Sequence, residues 1–347
     1  MAKEIKTIGV LTSGGDAPGM NAAVRAVVRT ALSKGIKVKG IERGYNGLLH
    51  NEMRDMDLRS VSEIIHRGGT VLYTARCLEF LTKEGQEQGA QCCRDNGIDA
   101  LVVVGGDGSF KGARALANLG IPCIGIPGTI DNDLPYTEMT LGFETAVQVC
   151  TEAVRSIRAT SRSHDRPAVV EVMGRHCGDI ALKTACATGA EIVVVPEVPW
   201  SVEEVAARLN KLIAKGNTRA TIIVAEGCWD SMAPFDMYTF LNEHGKKCYE
   251  GEPISAVRFA SIMKRMCGMV EARATVVGYT QRGAEPVAKD SAFAFEAGNL
   301  AVRLLRDGIS NQVIGTRQGK VFYMPIADAL KAQRPFRRDL FDLVNSL

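Results

Sequence analysis

Short apolar, β-branched runs that each break off into a glycine-bearing polar loop punctuate this chain, and that pattern constrains its fold more than any other feature. Residues 101–104 (LVVV) run into GGDGS, and residues 121–126 (IPCIGI) run into PGTIDND. Each run reads as a buried strand. Near the N-terminus IKTIGVLT gives way to SGGDAPG and then to MNAAVRAVVRTALSKG, a strand, a glycine loop and a helix closed by Gly35. Strands that alternate with helices call for right-handed crossovers and a mostly parallel sheet. Ligands of such sheets bind beyond the carboxyl ends of the strands. Asp107, Asp131 and Asp133 fall there, which points to metal and phosphate chemistry.

The alternation continues along the chain. IKVKGIE reads as a second strand, GYNGLL as a loop, residues 61–65 as a helix, and Gly68-Gly69 as a turn. An amphipathic helix is expected over residues 143–160, closed by the polar TSRSHDRP, after which AVVEVMGR opens a second α/β unit. That unit runs through a helix near residues 178–187, the strand EIVVVPEV, a helix near residues 202–214 with Gly216 behind it, and the strand ATIIVAEG. Residues 228–269 mix turn signals with weak periodicity and receive no role. A chain of 347 residues exceeds the roughly 250–300 at which one hydrophobic core stops growing, so two domains are expected. The expected fold is α/β, with two doubly wound three-layer domains of mostly parallel sheets and the active site in the cleft between them.

Composition removes several function classes. With 42 Lys and Arg against 39 Asp and Glu, the net charge of +3 gives no nucleic-acid footprint, and no dense basic block occurs. The ten cysteines form no CxxC pair, which disfavours zinc and suits free, mostly buried thiols in a reducing cytoplasm. No apolar run approaches the ~18 residues of a membrane span, and the start MAKEIKTIGV lacks the apolar core of an export signal.

Three loops carry the chemistry. SGGDAPG lets the backbone approach a phosphate while the next helix offers its N–H groups, although alone it is as often a structural turn. In GGDGS the Asp107 carboxylate sits between glycines at a strand end, where it has little room to retreat into a salt bridge and suits a hard cation such as Mg²⁺. PGTIDND offers a hydroxyl and two carboxylates within five residues, a set that suits phosphoryl transfer. Arg76, Arg166, Arg175, Arg273 and Arg282 fall at strand ends or in polar loops, where a single arginine is more often a solvated surface residue. Glu226 ends TIIVAEG and either binds sugar hydroxyls or caps a turn.

Taken in order, SGGDAPGMNAAVR, GYNGL, HRGGT, VVGGDGS, PGTIDNDL, VVEVMGRHCGD, VVPE, ATVVGYTQRG and QRPF resemble the 6-phosphofructokinases over nearly the whole chain, residues 228–269 excepted. The resemblance implies transfer of the ATP γ-phosphoryl group to the 1-hydroxyl of fructose 6-phosphate in glycolysis, with Mg²⁺. It implies Asp131 as the general base, Asp107 as the magnesium carboxylate and Asp133 as a supporting acid, with Thr129 and Arg175 against the transferring phosphoryl. Gly15, Tyr45, Arg76, Cys77, Gly106, Gly108 and Ser109 match nucleotide contacts. Ile130, Met173, Gly174, Glu226 and Tyr279 match sugar contacts, and Arg166, Arg273 and Arg282 match a clamp on the 6-phosphate. Arg166 and Arg273 correspond to arginines donated by a neighbouring subunit, which implies a homotetramer. The implied domains are residues 1–142 with 281–331 for nucleotide and Mg²⁺, and residues 143–280 with 332–347 for the sugar phosphate.

Departures from the family pattern shape the expectation. Pyrophosphate-using relatives place an aspartate at position 108 and a lysine at position 128, where this chain has glycine, so ATP is the expected donor. Tyr279 replaces a histidine, and Cys77 and Leu81 replace an aromatic residue and an arginine beside the nucleotide. Arg25, Arg29, Arg158, Gly189, Glu191 and Lys215 match an effector site, but Leu58 and Asn217 stand where that site has basic residues. Open alternatives are a pyrophosphate-dependent kinase, a kinase acting on sedoheptulose 7-phosphate, and a silent paralogue that only binds nucleotide or sugar phosphate. A silent paralogue is expected to lose its catalytic acids, and all three are present here.

Overall fold

Apolar residues on both faces of a strand force helices onto both sides of a sheet, and the first sheet of this protein is built that way. The computed structural model describes residues 4–233, 239–241, 247–249, 252–269 and 271–346. The chain divides into two compact units, one of Met1–Thr145 with Arg282–Arg334 and the other of Ala146–Gln281 with Pro335–Leu347.

The sheet of the first unit contains β1 (Thr7–Thr12), β2 (Lys37–Ile41), β3 (Met53–Met56), β4 (Ala100–Gly105), β5 (Cys123–Pro127), β13 (Gln312–Arg317) and β14 (Lys320–Pro325), in the order β14-β13-β5-β4-β1-β2-β3. The five central strands are parallel, and β3 and β14 close the edges antiparallel. Leu101 and Val103 of β4 join a core with Leu48, Phe80, Cys93, Phe110 and Leu116. Val104 turns the other way, towards Met20. On that side the helices Met20–Ser33 and Ala288–Arg306 pack against each other, so closely that a Cβ at Gly298 would lie 2.5 Å from that of Ala26.

Two local expectations are corrected here. Residues 44–49 form a helix and not a loop, because Tyr45, Leu48 and Leu49 share one buried face. Residues 61–65 form turns and not a helix. Ser60 N donates to Asp57 Oδ1 at 2.8 Å, and Glu63 adopts φ 52°, so the backbone turns although Val61 and Ile64 are buried.

The second unit carries β6 (Ala168–Val172), β7 (Ile192–Val194), β8 (Thr221–Ala225) and β12 (Arg273–Val276) in a fully parallel sheet of order β12-β6-β8-β7. The helix Phe143–His164 runs four residues beyond its expected end, and in its last turn Ser163 Oγ and His164 Nδ1 lie within hydrogen-bond distance of the carbonyls of Ala159 and Thr160. It stops at Asp165, with φ 49°. The helix Val202–Ala214 has its expected bounds, set by a capping box between Ser201 and Glu204.

Residues 228–269 do contain regular structure where they are described. The helices Cys228–Ser231 and Ala256–Met266 flank a small antiparallel sheet of β9 (Thr239–Leu241), β10 (Lys247–Tyr249) and β11 (Glu252–Pro253). Trp229 and Phe259 pack edge-on against Trp200, at 6.2 and 5.7 Å between ring centroids. Glu171 of β6 accepts from the Trp229 indole at 3.0 Å and from Ala256 N at 3.3 Å. Burial pushes the Glu171 carboxyl up, against the lowering effect of those two bonds. Among the described residues no helix is long and apolar enough to cross a membrane.

Candidate active site

Parallel pairing aligns three loops at the carboxyl edge of the first sheet. Thr12 of β1 lies opposite Val104 of β4, and Val104 opposite Ile126 of β5. At ~4.8 Å between strands, the loops that follow lie within roughly 10 Å of one another. Backbone bonds extend the alignment past the strand ends, from Ser13 N to Val104 O and from Gly128 N to Gly105 O.

The loop after β5 holds Asp131. Thr129 Oγ1 accepts from Asp131 N at 3.2 Å, and Thr129 O accepts from Thr140 Oγ1 at 2.6 Å. Asn132 takes a left-handed conformation, φ 54°, and its carbonyl accepts from Arg334 Nη2 at 2.7 Å. This turn leaves Asp131 buried, 7% exposed, with Oδ1 4.0 Å from Arg282 Nη2, while Asp133 is exposed. A buried carboxylate is retained where an opposite charge stands beside it.

Arg282 also donates Nη1 to the Asp16 carbonyl at 3.1 Å, so it links the loop after β1 to Asp131. It can reach there because residue 15 is glycine: a Cβ at Gly15 would lie 2.5 Å from Nη1. Of the three arginines expected to clamp the 6-phosphate, Arg282 belongs to the first unit and Arg166 and Arg273 belong to the second.

In the loop after β4, Gly106 precedes the helix Asp107–Asn118, and Asp107 occupies its first turn. The expectation that this carboxylate has little room for a salt bridge is corrected: helix geometry brings Lys111 Nζ to 2.6 Å from Oδ2, both side chains being solvent-accessible. Tyr45 is buried, stacks on Phe80 at 4.1 Å, and donates its hydroxyl to Ser109 O at 2.6 Å, so it supports this turn from below. Arg76 and Gly108 are exposed, Cys77 is half-buried, and Ile130 is fully buried. Tyr73, Leu78 and Leu81 add exposed apolar surface in the segment around Arg76.

The second unit assembles a separate group at the carboxyl ends of β6 and β8. Glu226 N bonds Val172 O, and Glu226 Oε1 accepts from Arg175 N at 2.7 Å, which orients the carboxylate. Gly174 adopts φ 138°, and a Cβ there would strike the Cys177 carbonyl. Met173 N donates to Gln281 Oε1 at 3.2 Å. Arg175 is exposed with φ 55°, and Tyr279, beyond β12, is 84% exposed.

Arg166 and Arg273 lie at the opposite, amino-terminal ends of β6 and β12, where Arg273 pairs with Ala168. The strand length between them and Met173 is roughly 20 Å. Of the residues expected at an effector site, Arg25 and Arg29 lie on the helix Met20–Ser33 of the first unit. In the second, Arg158 makes a two-pronged contact with Glu191 at 3.0 and 3.2 Å and also reaches Gly189 O, Asn217 Nδ2 stands 3.4 Å from Glu191, and Lys215 is exposed.

Several positioning residues were invisible to the sequence reading. Asn21 pins residues 67–71, donating to Arg67 O and Gly68 O and accepting from Val71 N at 2.7 Å. Asp290, with no exposed surface, accepts from Gly142 N, Thr145 N and Thr145 Oγ1, and burial raises its pKa. Gln281 is likewise fully buried. The only signal for each was a polar residue on an otherwise apolar helix face or beside a glycine.

The sequence profile of the Phosphofructokinase family matches residues 7–305. The ATP-dependent 6-phosphofructokinases of Clostridium acetobutylicum and of Clostridium botulinum strain Hall are 46% and 45% identical to this chain over 343 residues, covering 99% of each partner. Among solved structures, phosphofructokinase from Saccharomyces cerevisiae superposes with a TM-score of 0.79 at 35% identity, over 94% of this chain and 45% of the yeast chain.

Gly15→Ala tests the link through Arg282. Its Cβ meets only the end of a flexible side chain, so the melting temperature should stay within about 2 °C of wild type. Turnover should fall roughly 100-fold through misplacement of the guanidinium. Unchanged turnover would show that the contact of Arg282 with Asp131 is incidental.

Proposed function

The chain belongs to the phosphofructokinase family, and from that premise we propose that it transfers the γ-phosphoryl group of ATP to the 1-hydroxyl of fructose 6-phosphate, a cytoplasmic step of glycolysis that yields fructose 1,6-bisphosphate and ADP. The observation that carries the proposal is the buried Asp131 carboxylate beside Arg282, on a loop aligned with two glycine loops at one sheet edge.

In this reading Asp131 accepts the proton of the 1-hydroxyl as its oxygen attacks phosphorus. Arg282 steadies the carboxylate, which leaves orientation as the main contribution of Asp131. Thr129 and Arg175 meet the charge on the migrating phosphoryl, and Asp133 supports the metal side. Glu226, fixed by Arg175 N, takes a sugar hydroxyl.

Asp107 is the group that would hold Mg²⁺. Among the described residues no three His, Cys, Asp or Glu side chains form a cluster able to hold a metal. The single carboxylate of Asp107 suits Mg²⁺, which commonly uses one or two carboxylates together with substrate phosphates and water. When bound, the ion supplies charge neutralisation on the phosphates. Lys111 would then release Asp107.

The donor assignment rests on residues 108 and 128. A Cβ at Gly108 meets nothing within 4 Å, whereas one at Gly128 would lie 3.0 Å from Met20 Cε and from Val104 Cγ1. Position 108 is therefore open to a nucleotide phosphate, and position 128 is closed to a lysine by packing. For assembly, Arg166 and Arg273 stand at the edge of their sheet opposite Met173 and Glu226. That supports their donation to the sugar phosphate of a second copy, within a homotetramer. Arg25, Arg29, Arg158 and Lys215 are left to an effector phosphate in the same proposal.

Purified protein should turn over ATP and fructose 6-phosphate in a coupled assay, and Asp131→Asn should lower kcat by about 10²–10⁴-fold. Full-speed turnover by that variant removes the proposed base. Gly108→Asp should fold normally and lose about 10- to 1,000-fold in kcat/KM for ATP through repulsion of the phosphates. ATP use that survives it intact contradicts the donor assignment.

A further inference from the structure

One carboxylate spans the two arginines at the amino-terminal edge of the second unit's sheet. Glu271 Oε1 accepts from Arg273 Nε at 2.6 Å and from Nη2 at 2.5 Å, and Oε2 takes Arg166 Nη1. The hydrogen bond from Arg166, and then that from Arg273, holds the Glu271 carboxyl below its ordinary range, so it is ionised at neutral pH. The group is not buried scaffolding: the side chains of Arg166, Glu271 and Arg273 retain 18%, 35% and 68% of their exposure.

The charges in this cluster do not balance. Two guanidiniums facing one carboxylate leave a unit of positive charge, whereas a phosphate dianion in place of that carboxylate would balance both guanidiniums. The five donors of a guanidinium also fit a phosphate with its three oxygens at least as well as a carboxylate.

We propose that Glu271 is an internal counter-ion that competes with the acceptor's phosphate for Arg166 and Arg273, and so sets the affinity and charge requirement of that site. This rests on the reading above that the two arginines bind the sugar's phosphate. With no ligand, Glu271 holds the two side chains together and limits their mutual repulsion. A phosphate dianion displaces it, and a weaker or singly charged anion does not. The covalent chemistry is untouched, since Glu271 is argued to act only through the arginines.

The test is steady-state kinetics on the full-length protein with Glu271→Gln and Glu271→Ala, beside Arg273→Ala. Removing the competing charge should lower KM for fructose 6-phosphate about 3- to 10-fold, the change lying in KM and not in kcat. The inhibition constant of inorganic phosphate against fructose 6-phosphate should fall in parallel, which a purely structural role would not produce. Arg273→Ala should raise KM at least about 10-fold. If Arg273→Ala raises KM while both Glu271 variants raise it or leave it unchanged, Glu271 orients the arginines or is idle, and the counter-ion proposal is wrong. If Arg273→Ala leaves KM unchanged, the assignment of the arginines to the sugar phosphate is what fails.

Discussion

The register between β1, β4 and β5 is the constraint from which the first unit's chemistry follows. Residues facing both sides of β4 are buried, so each must fit a closely packed layer, and a slip by one residue would put every side chain into the wrong one. Once it is fixed, SGGDAPG, GGDGS and PGTIDND must emerge side by side at one edge. The order β2-β1-β4-β5 sets the change of winding direction between β1 and β4, the point at which open α/β sheets bind ligands. The remaining demands are local. Asp131 can stay buried because Arg282 stands near it, and Arg282 can stand there because residue 15 has no side chain.

The second unit uses both edges of a fully parallel sheet. Its carboxyl edge carries Met173, Arg175 and Glu226, interlocked through the bond of Arg175 N to Glu226 and through the closely fitted Gly174. Its amino edge carries Arg166 and Arg273, already provided with an anion in Glu271.

Much of this was legible from residue order, since the α/β alternation needs only strand periodicity and glycine loops. The helix expected near residues 202–214 is found at Val202–Ala214, its start fixed by the capping box of Ser201 and Glu204. Local signals also misled: the glycines of GYNGLL hid a helix whose burial pattern was present in Tyr45, Leu48 and Leu49, and the apolar spacing of Val61 and Ile64 suggested a helix that the Asp57–Ser60 turn prevents. The long-range partners were out of reach. Asn21 with residues 67–71, Asp290 with Gly142 and Thr145, and Arg282 with Asp16 join positions 46 to 266 apart, and no single window of sequence contains both ends. Lys111 beside Asp107 was within reach through its spacing of four, because a carboxylate that opens a helix meets whatever cation stands one turn on.

The most direct test of the central claim is the crystal structure of the protein with a non-hydrolysable ATP analogue, Mg²⁺ and fructose 6-phosphate bound. The account predicts a carboxylate oxygen of Asp131 within about 3 Å of the sugar's 1-hydroxyl, with Arg282 still beside it. A 1-hydroxyl bonded instead to Asp133 or Glu226, with Asp131 turned to Arg282 alone, would contradict it.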